Sequence, residues 1–297
     1  MIPRAAALFE KLPRSLRRHR LMTVWMQLTG EDPLQLVRIR DESLGYADMR
    51  DGFLRLIVID GDFEHDFFRI ADQLLQEGGH FFDVGANHGL LSFGLAGKFS
   101  ERVRFHLFEP NPKLVSAIRR SAELYPRMQI TVNAVAVSDH DGVIQFAFDE
   151  EQSGASHISE GNGVPVPSIS IDAYIKKNEL PEVALLKLDI EGHELTALRE
   201  AVKAFQSHAI KGIYFEYFEK WLRRVQPPEH LLDFVESFGY GIYFCREANL
   251  EDYGGPTHTL MRGVPGHGIP LRPIERSKLP PMTDLIALPA QNVVPLS

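Results

Sequence analysis

The stretch His80–Leu91, HFFDVGANHGLL, restricts this chain to a small set of folds. A short apolar run ends in an acid, and two glycines four residues apart precede apolar residues at helical spacing. A strand, tight turn and helix of this kind open a parallel sheet that is covered by helices. The alternation then continues. VRFHLFEP predicts a second strand, and NPKLVSAIRRSAEL a helix with Pro112 at its first turn. QITVNAVAV, EVALLKLDI, IKGIYFEYF and GYGIYFC predict further strands. SIDAYIKKN, residues 191–205 and PEHLLDFVESF predict the helices between them. VIQFAF predicts a short extra strand, EEQSGASHISEGNGVPVPS a polar loop, and TDLIALP a last strand. Residues 246–282, rich in proline and glycine and without periodicity, predict an irregular excursion. The expected class is α/β: a mostly parallel sheet with helices on both faces and ligands at the carboxyl ends of the strands.

Residues 1–79 predict a helical and hairpin lead-in to a main domain over 80–297. LGYADMRDGFLRLIVID alternates around Arg50-Asp51-Gly52, a strong turn signal, and HDFFRIADQLLQEGG predicts a helix that ends in glycines. The first twenty residues carry Arg4, Lys11, Arg14, Arg17, Arg18 and Arg20 against Glu10. They suit a solvated basic helix, or a weak contact with anionic lipid or an acidic partner, and they lack the apolar stretch of a signal peptide. No run of about 18 apolar residues is present to span a membrane. The net charge of −8 argues against a general nucleic-acid binder, whose affinity comes mainly from phosphate contacts. The single cysteine, Cys245, forms no intramolecular disulfide, so a reducing cytoplasm is expected.

The loop chemistry narrows the ligand. Asp83, Gly85, Asn87 and Gly89 make D-x-G-x-N-x-G, not the G-x-G-x-x-G of a dinucleotide loop. An acid beside a pyrophosphate is unfavourable, whereas an acid beside an ammonium or sulfonium is not. S-adenosylmethionine carries both cations, one carboxylate and no phosphate. The helix N-terminus after the loop offers N–H groups for that carboxylate. Glu109, closing the second strand in HLFEPNP, suits a ribose diol, with Asn111 beside it. Val135, Ala136 and Ser138, at the end of the third strand, suit an adenine face. A second dense motif is LLKLDIEGHELTALREA. Alternation puts Lys187 and Asp189 on one strand face, and Glu191, His193 and Glu194 crowd the following helix start.

FFDVGANHGLLS, FEPNP, NAVAVSD, SISIDAY and LLKLDIEGHELTAL occur here in the order and spacing of the FkbM-type methyltransferases. The chain resembles that family over roughly residues 80–220. The resemblance implies S-adenosylmethionine on a Rossmann-like, seven-stranded sheet whose final strand, here TDLIALP, is antiparallel. It also implies methyl transfer, usually to a hydroxyl of a sugar, polyketide or other natural product. Carried over by position, Asp83, Gly85 and Glu109 would bind the cofactor, and Asp189 would lie beside the methyl group. His88 stands where the family often has an apolar or aromatic residue.

The residues leave several roles open. Asp189 or His193 takes the acceptor proton, with Lys187 or Glu191 orienting it; His157, in the polar loop, is an alternative base. Asp189 and Glu216, ending adjacent strands, are the positions from which a divalent metal would be held. A non-catalytic binder would bind without turnover, and an NAD-dependent oxidoreductase would need the missing glycine pattern. A nucleic-acid methyltransferase would carry a basic face and an N-P-P-aromatic segment in place of DIEG.

Overall fold

The computed structural model describes residues 28–30, 32–51, 54, 64–149, 153, 156–159, 161, 163–245, 258–260 and 268–295. The basic segment near the N-terminus and the expected turn at Gly52 with the strand after it lie outside the described residues. The strand expected before that turn, β2 (Leu44–Asp48), pairs with β1 (Leu34–Arg38). The hairpin is closed by Ile39 N–H to the Ser43 carbonyl at 2.9 Å. It docks on the main body through Tyr125, whose hydroxyl lies 2.6 Å from both the N–H and the carbonyl of Leu44. Arg40 also reaches Asp72 at 2.6 Å.

The chain then alternates through α1 (His65–Leu74), β3 (Gly79–Val84), α2 (Leu90–Phe99), β4 (Val103–Phe108), α3 (Pro112–Ala122) and β5 (Gln129–Asn133). A small accessory sheet follows: β6 (Ala136–Val137), β7 (Gly142–Ala147), β8 (His157–Ile158) and β9 (Val164–Ile169), in the order β6-β9-β7-β8. The rest runs α4 (Ile171–Lys177), β10 (Leu185–Leu188), α5 (Glu194–Arg199), α6 (Val202–Gln206), β11 (Ile213–Phe218), α7 (Glu219–Val225), α8 (Glu229–Ser237), β12 (Tyr240–Phe244), β13 (His258–Leu260), β14 (Ile269–Pro273), β15 (Met282–Pro289) and β16 (Val293–Pro295).

Among the described residues the large sheet is mixed and has ten strands, not seven, in the order β16-β13-β14-β12-β15-β11-β10-β3-β4-β5. From β5 through β11 every pair is parallel, and β15 runs antiparallel between β11 and β12. The three additional strands extend the edge beyond β12. Two of them fall within residues 246–282, where an irregular excursion was expected. A run of five or fewer residues beside prolines carries little periodicity, so pairing rather than pattern creates these strands.

Successive residues of each central strand enter opposite layers, as a period of two requires. Phe82, Leu186, Phe215 and Ile242 join one core with α5, α6 and α8; Phe81, Leu185, Tyr214 and Ile286 join the other with α1 and α2. The expected helix over 191–205 is two helices. Asp172 supplies the physical reason, for its carboxylate accepts the N–H groups of Lys203 (2.8 Å) and Ala204 (3.0 Å) and so caps a separate start for α6. QITVNAVAV likewise splits, the first part in the large sheet and Ala136–Val137 in the small one. That departure opens the space between the two sheets.

Candidate active site

Two loops meet at the carboxyl ends of β3 and β10. The first has Gly85 (φ 73°), Asn87 (53°) and Gly89 (71°) in left-handed backbone. A Cβ on Gly85 would lie 2.0 Å from the Asp189 carbonyl oxygen, so only glycine lets the loops interlock. In the second loop Glu191 (φ 53°) precedes Gly192 (φ 93°). Glu191 pays for its backbone about 1–2 kcal/mol that a glycine would not.

Lys187 ties these loops together. Its buried ammonium donates to the carbonyls of Gly85 (2.8 Å) and Val84 (3.4 Å). It also pairs with Asp83 at 3.4 Å and Asp189 at 3.5 Å. Burial opposes its charge, but the two carboxylates outweigh burial and raise its pKa. Asp83 is fully buried and accepts the Ser92 hydroxyl at 2.7 Å. The side chain of Asp189, by contrast, is 48% exposed.

Glu109 is held from two sides. Its Oε1 accepts the Asn111 N–H (2.8 Å) and its Oε2 the Asn87 N–H (2.9 Å). Burial pushes the carboxyl up to about 7 in spite of these bonds. Asn111 also caps α3, accepting the Lys113 N–H.

A cleft open at its mouth runs over the loops, with about 610 Å³ of empty space when the solvent at its mouth is included. Val84, Gly85 and Asn87 line it from the first loop, and Asp189, Ile190 and Glu191 from the second. Phe108, Glu109 and Pro110 line it at the end of β4, and Ala136, Val137, Phe146, Ser153, Ser156 and Ile158 complete it. Of the candidates named from sequence, Gly85, Asn87, Glu109, Ala136, Asp189 and Glu191 thus share one wall-to-wall space. Asp83, Gly89, Asn111, Val135, Ser138, Lys187 and His193 stand behind it. Gly89 starts α2, where a Cβ would press on Phe93, Leu107 and Ile118. Ser138 donates its N–H to Ile169. Phe146, Ile158, Ser153 and Ser156 were not named from sequence. The strand signal in VIQFAF places a strand but not the sheet that would carry it over the cleft.

Beyond Asp189 the cleft edge is acidic. Glu216 faces Asp284 across the β11–β15 pair, and Asp189 follows the Leu188–Phe215 pair, so three carboxyls occupy neighbouring strand ends. Burial, then Asp189 and Glu194, pushes Glu191 up to about 8. Burial, then Asp189 and Glu191, pushes Glu216 upward as well. Among the described residues no group of three or more His, Cys, Asp or Glu is disposed to hold a metal ion. Glu194 turns its Oε1 to the N–H groups of Ile190 (3.1 Å) and Gly192 (3.3 Å) and closes the loop. His193, just ahead of α5, is lowered to about 4 by burial and by nearby His157, so it is neutral. His157 packs against Trp221 with ring centroids 5.6 Å apart. The loop histidine and the helix-start histidine are therefore neighbours.

The lining suits a nucleoside with a charged amino-acid tail. Each Glu109 oxygen holds one N–H and keeps a lone pair for a diol, and the apolar faces of Phe108, Val137, Phe146 and Ile158 surround ring-sized space.

Comparison with known proteins gives the following. The model of the methyltransferase FkbM domain matches residues 83–242. A hexuronic acid methyltransferase, AglP, of Haloferax volcanii is 28% identical over 145 residues. That match covers 48% of this chain and 59% of the relative, so the chain spans about three fifths of the curated relative's length. An FkbM methyltransferase structure from Methylobacillus flagellatus is 17% identical, with 80% of this chain and 53% of that one covered and a TM-score of 0.38. A structure of M. jannaschii TYW2 in complex with AdoMet is 12% identical, with 87% of this chain and 85% of that one covered and a TM-score of 0.39. No helix among the described residues is long and apolar enough to cross a membrane.

Proposed function

The chain belongs to the FkbM methyltransferase family, and from that premise we propose that it transfers a methyl group from S-adenosylmethionine to a hydroxyl of a sugar, glycan or natural-product acceptor. The single observation that carries the donor is Glu109, whose two oxygens are aimed by the Asn87 and Asn111 N–H groups beside an apolar wall. A relative named for a hexuronic acid supports the sugar class of acceptor. When bound, the donor supplies an electrophilic methyl group on a sulfonium.

The chain's own work is positioning and proton removal. A displacement at carbon needs its nucleophile in line, and well-oriented groups reach effective molarities of roughly 10⁵–10⁸ M. Asp189 takes the acceptor proton, because it combines exposure to the cleft with an anchor on Lys187. Its family position beside the methyl group agrees with that role. Lys187 holds the two loops in register and pairs with Asp189; Glu191, lining the cleft beside it, orients the acceptor. General base catalysis is typically worth about 10²–10⁴-fold, and Asp189→Asn should lose a factor in that range. No divalent metal is invoked in this reading, and a cytoplasmic localisation goes with it.

The test is calorimetric titration with S-adenosylhomocysteine. Saturable binding is expected for the wild type, lost in Glu109→Ala and absent with NAD. Binding of NAD, or no binding of the nucleoside, would overturn the reading. Acceptors are then sought with a labelled donor.

A further inference from the structure

His88 is buried, 2% exposed, and stands inside the glycine loop without facing the cleft. Its Nε2 accepts the Asp48 N–H at 3.1 Å. Nδ1 must then carry the ring proton, and it donates to Asn87 Oδ1 at 2.5 Å. This orients the Asn87 carboxamide, whose Nδ2 donates to Ser153 Oγ at 2.9 Å. The Ser153 hydroxyl in turn donates to Asp51 Oδ2, which also accepts the Ser153 N–H at 2.9 Å. The Ser153 hydroxyl also lies 3.1 Å from Asn87 Oδ1, and with Asp51 accepting its proton the series runs in one direction from His88 to Asp51. The backbone N–H of Asn87 meanwhile holds Glu109. Asn87 is thus the joint between the carboxyl assigned to the nucleoside and Ser153 on the far wall of the cleft.

We infer that His88 and Asp51 are positioning residues which, acting through Asn87 and Ser153, fasten the accessory-sheet side of the cleft to the glycine loop and so hold the nucleoside in place. The inference rests on the donor-site reading above and adds to it a set of residues that touch neither donor nor acceptor. The hairpin strand β2 and the residues just after it, Asp48 and Asp51, anchor both ends. The N-terminal region is in this way part of the donor site.

The experiment measures dissociation of S-adenosylhomocysteine by stopped flow from wild type, Ser153→Ala, Asp51→Asn and His88→Leu. Losing a hydrogen bond to a charged or buried partner should speed dissociation about tenfold or more, with little change in association. Ser153→Thr, which keeps the hydroxyl, should restore the wild-type rate within about twofold. Apo melting temperatures separate this from general destabilisation, for Ser153→Ala is expected to melt with the wild type. In wild type, hydrogen exchange at the Ser153 amide should slow on binding. Dissociation rates of Ser153→Ala and Asp51→Asn within twofold of a wild type that does bind would overturn the inference and leave the donor-site reading intact. Failure of the wild type itself to bind would overturn both. If His88→Leu does not fold, the Ser153 and Asp51 variants decide the matter.

Discussion

Lys187 and Glu191 show how much of this site is set by single residues. Lys187 is a buried cation shared by Asp83 and Asp189, with two carbonyls as further acceptors. Lys187→Met would leave Asp83 buried without its counter-charge, and such losses cost about 3–5 kcal/mol. Urea unfolding should register a drop of that size. Glu191 carries the opposite expectation, since it holds a left-handed backbone and a carboxyl pushed up to about 8 by burial and by Asp189. Glu191→Gly should raise stability by about 1 kcal/mol while slowing methyl transfer, because strain of this kind is retained where function needs it. A stability loss in the same titration would sink that account. The sequence displays both residues as part of a dense motif, since LKLDIEGHE has more charge than a strand end or a helix cap requires. Which of its members face the cleft was not legible. Alternation fixes the faces of Lys187 and Asp189, but burial of the first and exposure of the second depend on the β3 loop lying across Lys187. The chain of bonds from Asp48 to Asp51 was hidden for a related reason, because it joins residues up to 102 positions apart.

At the level of elements, β1 and β2 depend on the body that they rest on. Tyr125 bonds both backbone groups of Leu44, and Ser121 accepts the Tyr46 N–H at 2.8 Å. Tyr125→Phe should lower stability by about 1–3 kcal/mol and speed amide exchange across residues 34–48 more than across β3. Equal effects in both places would argue against local docking. The central elements were legible: long apolar runs at the right spacing gave β3, β4, β10, β11, β12 and their helices within a few residues. Caps and pairing were less so. The split between α5 and α6 depends on Asp172, about thirty residues upstream in the chain. Among the described residues β2 pairs with β1, which precedes it, and the Asp51 carboxylate accepts the N–H groups of Ser153 and Leu54. Short edge strands such as β13 and β14 take their form from neighbours, not from their own pattern.

The whole molecule carries two opposed sets of buried titratable groups. His88, His106 and His193 are lowered from 6.5 to about 4, chiefly by burial. The unfolded chain binds more protons at these sites, so their contribution is full above pH 6.5 and is lost as pH falls toward 4. Glu109 and Glu194 are raised from 4.5 to about 7 and Glu191 to about 8, again chiefly by burial. Here the folded chain binds more protons, so the contribution is full below pH 4.5 and is lost as pH rises through 7 to 8. The sets offset one another between 4.5 and 6.5, and above 6.5 only the carboxyls act. The apo protein should therefore melt at a lower temperature at pH 8 than at pH 6, and scanning calorimetry at the two values checks it. The position of β15 has a consequence of another kind. This strand, residues 282–289, is inserted between β11 and β12, both made at least 38 residues earlier. During translation those two strands wait with unpaired edges until β15 leaves the ribosome. The sheet closes late and through contacts distant along the chain, which is a slow route. A polypeptide released early would present two open edges, and such edges pair with other chains. Synthesis through residues 282–289 thus governs whether β11 and β12 are joined in the sheet or left open to aggregation.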